Sequence, residues 1–438
     1  MEHLAEACPR VLARATAPTT HANPGALAAP ADSGSRAALT LPMTLFFAAS
    51  VGVIVVNLTA AQPLAGLVSR SLQLRPSLLG SVAMLPQLGY AAGLLLLVPL
   101  CDLLENRRLI FRTLMTCAAF LALAALARSG ALFLGAVFLA GATSSVIQML
   151  VPMAASMAPE SRRGRAVGNV MSGLMLGILL SRPLASLIAG PLGWRAFYGI
   201  EAGADALLAV VLFMRTPRRV PLASARYAEL LYSLWTLLRT ERVLRRSAFL
   251  AALALGAFSA FWTVIALLLA QPPFSLGMNG IAAFALAGAT GAVVTPVAGW
   301  LGDRGAGRAT QCAAHATMLG AVVLLGVAGA GWGGFSPAAH PALALGMLVA
   351  GAAALDAGVI ADQTLGRRAI NLLNPAARGR LNAIFVGMFF VGGAGGALMA
   401  GAAWAWARWS GVCAVALGFT VAVIALGFVY RATPASGR

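Results

Sequence analysis

Lysine is absent from this 438-residue chain, and all 31 basic residues are arginine. Charge of any kind is scarce: 10% of residues are charged against 60% hydrophobic, and the mean hydropathy is +0.86. A soluble domain could not keep so apolar a chain in water, so the composition excludes a set of globular cores and points to a membrane. Five cysteines (Cys8, Cys101, Cys117, Cys312 and Cys413) stand singly, with no CxxC pair and no histidine at ligand spacing. That pattern excludes a disulfide framework and a zinc site. A Walker loop, an HExxH and a nucleophile elbow are also missing, so no motif marks an enzyme.

The formal net charge of +18 raises the question of a nucleic-acid partner. The arginines are dispersed among short loops between apolar runs, however, which suits the control of membrane topology and not the binding of a polyanion. Residues 1–41, rich in Ala, Pro, Ser and Thr, read as a disordered cytoplasmic tail. Windows of about 20 apolar residues then place twelve membrane spans, at 42–65, 77–101, 109–128, 131–157, 166–189, 196–214, 247–270, 279–301, 309–331, 341–364, 381–404 and 410–431. With the N-terminus inside, 25 arginines fall on the cytoplasmic side. Five (Arg70, Arg75, Arg128, Arg195 and Arg408) fall opposite, a bias that sets the orientation by the positive-inside rule. Both termini are then cytoplasmic, residues 432–438 forming the second tail.

The longest internal loop, 215–246, holds ARYAELLYSLWTLLRTERVLRR, with Leu230, Leu231, Leu234, Leu237 and Leu238 at helical spacing and arginine on the other faces. It predicts an amphipathic helix on the inner membrane surface. This linker divides the spans into an N-terminal bundle, 42–214, and a C-terminal bundle, 247–431. The halves also echo each other. APESRRGRAVG (158–168) matches NPAARGRLNA (374–383), and PLCDLLENRR at the end of span two matches GWLGDRGAGR at the end of span eight. Duplication of a six-helix unit is a mark of secondary transporters, whose site lies between the halves near mid-membrane.

These residues resemble the major facilitator superfamily, and more narrowly its bacterial twelve-helix drug and metabolite efflux group. The resemblance covers residues 42 to 431. Its most specific element is the loop signature G-x-x-x-D-R-x-G-R-R after spans two and eight. The second copy keeps Gly299, Asp303, Arg304 and Arg308; the first keeps Asp102, Arg107 and Arg108, with Val98, Leu103 and Glu105 in place of Gly, Arg and Gly. NLTAAQPLAGLV (57–68) and LPQLGYAAGLLLLVP (85–99) are similar to the first two spans of the nucleoside- and drug-efflux branch. Asn57 stands where efflux members often carry an acid. The resemblance implies an all-α membrane protein with two pseudo-symmetric six-helix bundles and 12 transmembrane helices, working as a monomer in the bacterial inner membrane. It also implies that Asp102 caps the start of span eleven near Leu381 and Asn382, and that Asp303 faces the start of span five near Ala166. Together with Arg107, Arg108, Arg304 and Arg308 these acids would gate the cytoplasmic side.

Several span residues carry candidate chemistry. Arg182, in LLSRPLAS, is the one arginine deep inside a span, and intramembrane charges usually pair or line a cavity. Folding span six back on span five sets Arg182 level with Glu201, with Asp205 one turn later, so a pair with either acid is expected. Otherwise Arg182 meets a polar or anionic substrate. Asp356, in span ten, is the leading acid for proton coupling, with Glu201 and Asp205 beside it; the alternative is a structural acid or a partner of His315. Asp362 is expected to pair with Arg367 or Arg368. Asn57, Gln62, Gln87 and Gln148 are candidate substrate contacts, or interhelical hydrogen bonds of about 0.6–2 kcal/mol. Trp262 and Phe258 can supply aromatic surface. The glycine series GGAGGALMAG (392–401) is a device for close helix approach. The expected activity is proton-coupled export of small organic molecules, with the proton gradient in place of any cofactor; a proton-coupled importer, a transport-inactive sensor and a membrane-embedded enzyme are the alternatives.

Overall fold

An apolar run in hydrocarbon must satisfy its backbone groups internally. The computed structural model does this with helices throughout the described residues, 40–220, 226–374 and 377–432. The tail at 1–39 and the last residues, 433–438, lie outside them. Ten helices are long and apolar enough to cross a membrane. Two of these fold back and cross twice, one at Gly193 (φ 81°), the other at Ala407 and Arg408 (φ of Arg408 52°). Gly193 sits in the left-handed region that glycine enters without a Cβ penalty.

Twelve spans result. Leu41–Thr59 continued by Ala61–Ser71 is span one, Pro76–Asp102 span two, Asn106–Leu126 span three and Gly130–Met157 span four. Residues 163–192 and 194–215 form spans five and six. Arg242–Leu269, Met278–Asp303, Gly307–Ala330 and Pro341–Asn371 are spans seven to ten, and 378–406 and 409–432 are spans eleven and twelve. The predicted spans are recovered, but most helices run past the apolar windows. Span seven begins at Arg242, five residues before its expected start, because arginines can remain helical where they leave the hydrocarbon.

The predicted amphipathic segment is the helix Tyr227–Thr240, which Tyr227 ties to the end of span two by donating to the Leu96 carbonyl at 2.8 Å. Arg245 closes its C-terminal end by donating to the carbonyls of Leu238 and Arg239, groups that have no partner within the helix.

Each half is drawn together by glycine. In the N-terminal half a Cβ on Gly177 would stand 2.2 Å from the Gly52 carbonyl oxygen, so spans one and five pack backbone to backbone. In the C-terminal half a Cβ on Gly396 would stand 2.0 Å from the Gly256 oxygen, so spans seven and eleven do the same. The repeat seen in the loops thus recurs in the packing. Between the halves, close approach is found at the ends away from the arginine-rich loops: Gly80 meets Ala397, Gly66 meets Leu267, and Gly190 meets Met278. At the arginine-rich ends the halves enclose a cavity of about 1110 Å³.

Candidate functional site

Three helices build most of the cavity wall with residues three or four apart, one face of each helix, and Arg378 at the start of span eleven completes it. Span five contributes Gly168, Met171, Ser172, Met175, Leu176 and Leu179; span eight contributes Thr295, Pro296, Gly299 and Asp303; span ten contributes Gln363, Thr364, Arg367, Arg368 and Asn371. Following the three faces one or two turns deeper leads to Arg182, Gly288 and Asp356. These residues meet in the buried interior, beyond the last residues that line the cavity.

There Arg182, 3% exposed, donates from Nε to Gln62 Oε1 of span one at 2.8 Å. Its guanidinium lies 4.3 Å from the Trp262 ring centre and 5.1 Å from that of Phe258, both on span seven. Trp262 in turn donates from Nε1 to Asp356 Oδ1 at 2.9 Å. A Cβ on Gly288 would stand 2.9 Å from Asp356 Oδ2 and 3.9 Å from Arg182 Nη1. Gly288 therefore lets the Asp356 carboxylate lie closer to the span-eight backbone than any side chain there would allow. Five spans, two from the first half and three from the second, converge on one buried cation and one buried acid. The indole joins them in place of a direct ion pair, with its face on the cation and its N–H on the acid. Arg182 Nη2 is buried without a hydrogen-bond partner, so part of its bonding capacity is unused. A desolvated cation over an aromatic face gains about 2 kcal/mol, and an unmet buried donor costs about 1–3 kcal/mol.

The expected pair of Arg182 with Glu201 or Asp205 is not made. The fold-back count fixes depth but not the direction around the helix axis, and Arg182 turns toward the other half. Asp205, fully buried, accepts instead from Asn57 Nδ2 at 2.9 Å. Asn57 also reaches Ser144 at 3.4 Å and Cys117 at 3.7 Å. Asn57, expected on the cavity wall, thus points into the core of the first half, where it joins spans one, three, four and six. Asp205 Oδ1, Glu201 Oε2 and the Tyr198 hydroxyl have no partner there. The second half has its own buried acid. Asp362 accepts from Gln311 at 2.8 Å and lies 2.8 Å from His315 Nε2, which corrects both the expected Asp362 pairing with Arg367 or Arg368 and the alternative of His315 on Asp356.

The remaining amides bridge helices. Gln87 Oε1 accepts from Ser259 across the two halves at 3.2 Å, and Gln148 donates to the Tyr90 hydroxyl at 3.3 Å. Tyr90 meets Phe390 of span eleven edge-on, with ring centres 4.8 Å apart.

The expected gate contacts are not made in this arrangement. Asp102 is exposed and has no hydrogen bond or ion pair among the described residues. Asn382, its expected neighbour, donates to Asn371 at 2.8 Å. Asp303 pairs with Arg368 of its own half at 2.9 Å and faces the start of span five only across the cavity. For Asp303 the reason is geometric: the cavity parts span eight from the start of span five at this end, so a cap across it cannot form. Arg107 lies over Phe213 at 4.1 Å, Arg108 pairs with Glu105 at 3.0 Å, Arg304 lies over Trp300 at 3.8 Å, and Arg308 is exposed. Sequence reasoning missed Gly288 and Arg367, the one a glycine among 48, the other a loop-end arginine among many.

Residues 40–371 match the Major Facilitator Superfamily. The chain is 36% identical over 388 residues to the uncharacterized transporter YgaY of Escherichia coli O157:H7, covering 89% of this chain and 95% of that protein. It is 35% identical over 424 residues to "Probable transporter SCO4007" of Streptomyces coelicolor, covering 93% of each. Among solved structures, a bacterial homolog of the human lysosomal transporter Spinster, in an inward-facing and occupied conformation, superposes with a TM-score of 0.65 at 13% identity, covering 89% of this chain and 96% of that one. A point mutant of the nucleoside transporter NupG gives 0.64 at 16% identity, with 89% and 99% covered. The relatives are transporters and not enzymes, and this chain, a multi-pass membrane protein of the same architecture, belongs to the major facilitator superfamily.

Proposed function

We propose that the chain is a proton-coupled exporter of small organic molecules, an antiporter of the drug and metabolite efflux type, in the bacterial inner membrane with both termini cytoplasmic. The observation that carries this reading is the buried Arg182 of one half and Asp356 of the other, joined through Trp262. An acid and a base held by helices of both halves respond together when either is neutralised. With Asp356 charged, its field compensates Arg182, and the five spans around them are held together. A proton arriving on Asp356 removes that compensation, leaves Arg182 available to substrate, and loosens the contact that the halves share. Alternating access then carries substrate one way and proton the other.

The positive-inside rule makes the arginine-rich end cytoplasmic, so the arrangement described is the inward-open one. Gln62, Trp262, Arg182 and Gln87 are the proposed substrate contacts, with Gln148 behind Tyr90. Glu201 and Asp205, buried without full pairing, are a second place for a proton. Asp102, Arg107 and Arg108, with Asp303, Arg304 and Arg308, are proposed to close the cytoplasmic side in the opposite, outward-open state.

An export-deficient bacterial host expressing the chain, screened against drugs, nucleosides and sugars, tests the direction. At least one compound accumulates less than in the empty host, and a protonophore restores its accumulation. Raised accumulation would instead identify an importer.

A further inference from the structure

The cavity has two unlike walls. Span five presents Met171, Met175, Leu176 and Leu179 and no charge, whereas the facing wall carries Arg367, Arg368 and Arg378 with a single acid, Asp303. That acid is already matched to Arg368, at 2.9 Å. Arg367 and Arg378 have no carboxylate partner among the described residues. The Arg378 Nε donates to the Asn371 carbonyl at 3.2 Å, and the Arg367 Nε is buried with no partner. An arginine that only sets topology reaches out to water or head groups. Arg162, Arg163 and Arg165, at the same end, stay out of the cavity; Arg367 turns into it.

We propose that this cavity binds an amphipathic organic anion. Its carboxylate, sulfate or phosphate head is held by Arg367 and Arg378, and its hydrocarbon body lies along the methionine and leucine wall. Guanidinium groups match the planar oxygens of such heads, and two uncompensated cations repel a cationic ligand. Methionine side chains adapt to apolar bodies of different shape. A volume of about 1110 Å³ holds head and chain together. The proposal rests on the transporter reading for the fate of the ligand, and on the cavity alone for its class.

The test uses the full chain in phosphatidylcholine nanodiscs, with 11-(dansylamino)undecanoate as a fluorescent probe and its uncharged primary amide as control. The anion binds at least tenfold more tightly than the amide. Arg367→Gln combined with Arg378→Gln removes that preference and leaves amide binding within twofold. In the unaltered chain, which removes any question of folding, octyl, decyl and dodecyl sulfate displace the probe with affinity rising about three- to fourfold per methylene. Replacing a third of the lipid by phosphatidylglycerol separates two sources of the same chemistry: competition marks a bilayer lipid, and no competition a water-borne amphiphile, both with the proposed head and tail. Equal binding of anion and amide, tighter binding of an amine-headed analogue, or an unchanged preference in the double variant overturns the proposal. Arginine-dependent binding with no flux of the probe in vesicles would uphold the anion site and overturn the transport reading. Flux indifferent to the charge of the probe would do the reverse.

Discussion

Trp262 holds Arg182 with its face and Asp356 with its N–H, so the two contacts can be removed separately. Trp262→Phe keeps the ring under the guanidinium and loses the hydrogen bond. At about 1.4 kcal/mol, within the range for such a bond, transport falls roughly tenfold. Trp262→Leu, which also loses the aromatic face, falls further; vesicle uptake rates check both, and a Phe variant equal to the native chain would remove the indole from the account. Gly288→Ala places a methyl 2.9 Å from Asp356 Oδ2. Transport is expected to drop at least tenfold while the amount of protein in the membrane stays the same. Arg182 and Asp356 are legible in the sequence because a charge inside an apolar run stands out. Their neighbours are not, because depth along a span can be counted but direction around it cannot. That is why counting along the chain matches Arg182 to Glu201 and Asp205 while the fold gives it Gln62 and Trp262, and why Asp362 meets His315 rather than an arginine next to it in the chain.

The helices themselves follow from hydropathy, and the fold-back points from Gly193 and the short polar turn at Arg408. The linker helix follows from leucine spacing. The partners of each helix are hidden, since small residues announce close approach without saying to what. Gly392 and Gly396 turn out to serve span seven. A direct test lies in adjacent glycines of span eleven. A Cβ on Gly396 meets the Gly256 oxygen at 2.0 Å, while Gly395 has nothing within 4 Å. Gly396→Ala therefore lowers the melting temperature of the purified protein by several degrees, an overpacking cost of about 1–3 kcal/mol, and Gly395→Ala leaves it unchanged. Equal effects would mean that spans seven and eleven are not in backbone contact.

At the scale of the molecule the halves touch at the ends away from the arginine-rich loops and stand apart at the other. The loop repeat in the sequence announces two matched latches but not which state they belong to, because one sequence serves every state of the cycle. In the proposed cycle Asp102 finds its helix only when the cytoplasmic side closes. Asp102→Asn then destabilises the closed side and raises thiol labelling of a cysteine placed at Met175 from the cytoplasmic face; unchanged labelling would leave Asp102 a loop charge serving orientation alone.

The proposed proton on Asp356 links these scales, and the proposed coupling is tested by following internal pH in vesicles as a transported compound is added. The native chain moves protons in step with substrate. Asp356→Asn still binds substrate and exchanges it across the membrane, with no net proton movement. Substrate flux in the native chain without a pH change, or unaltered proton movement in Asp356→Asn, would contradict the account.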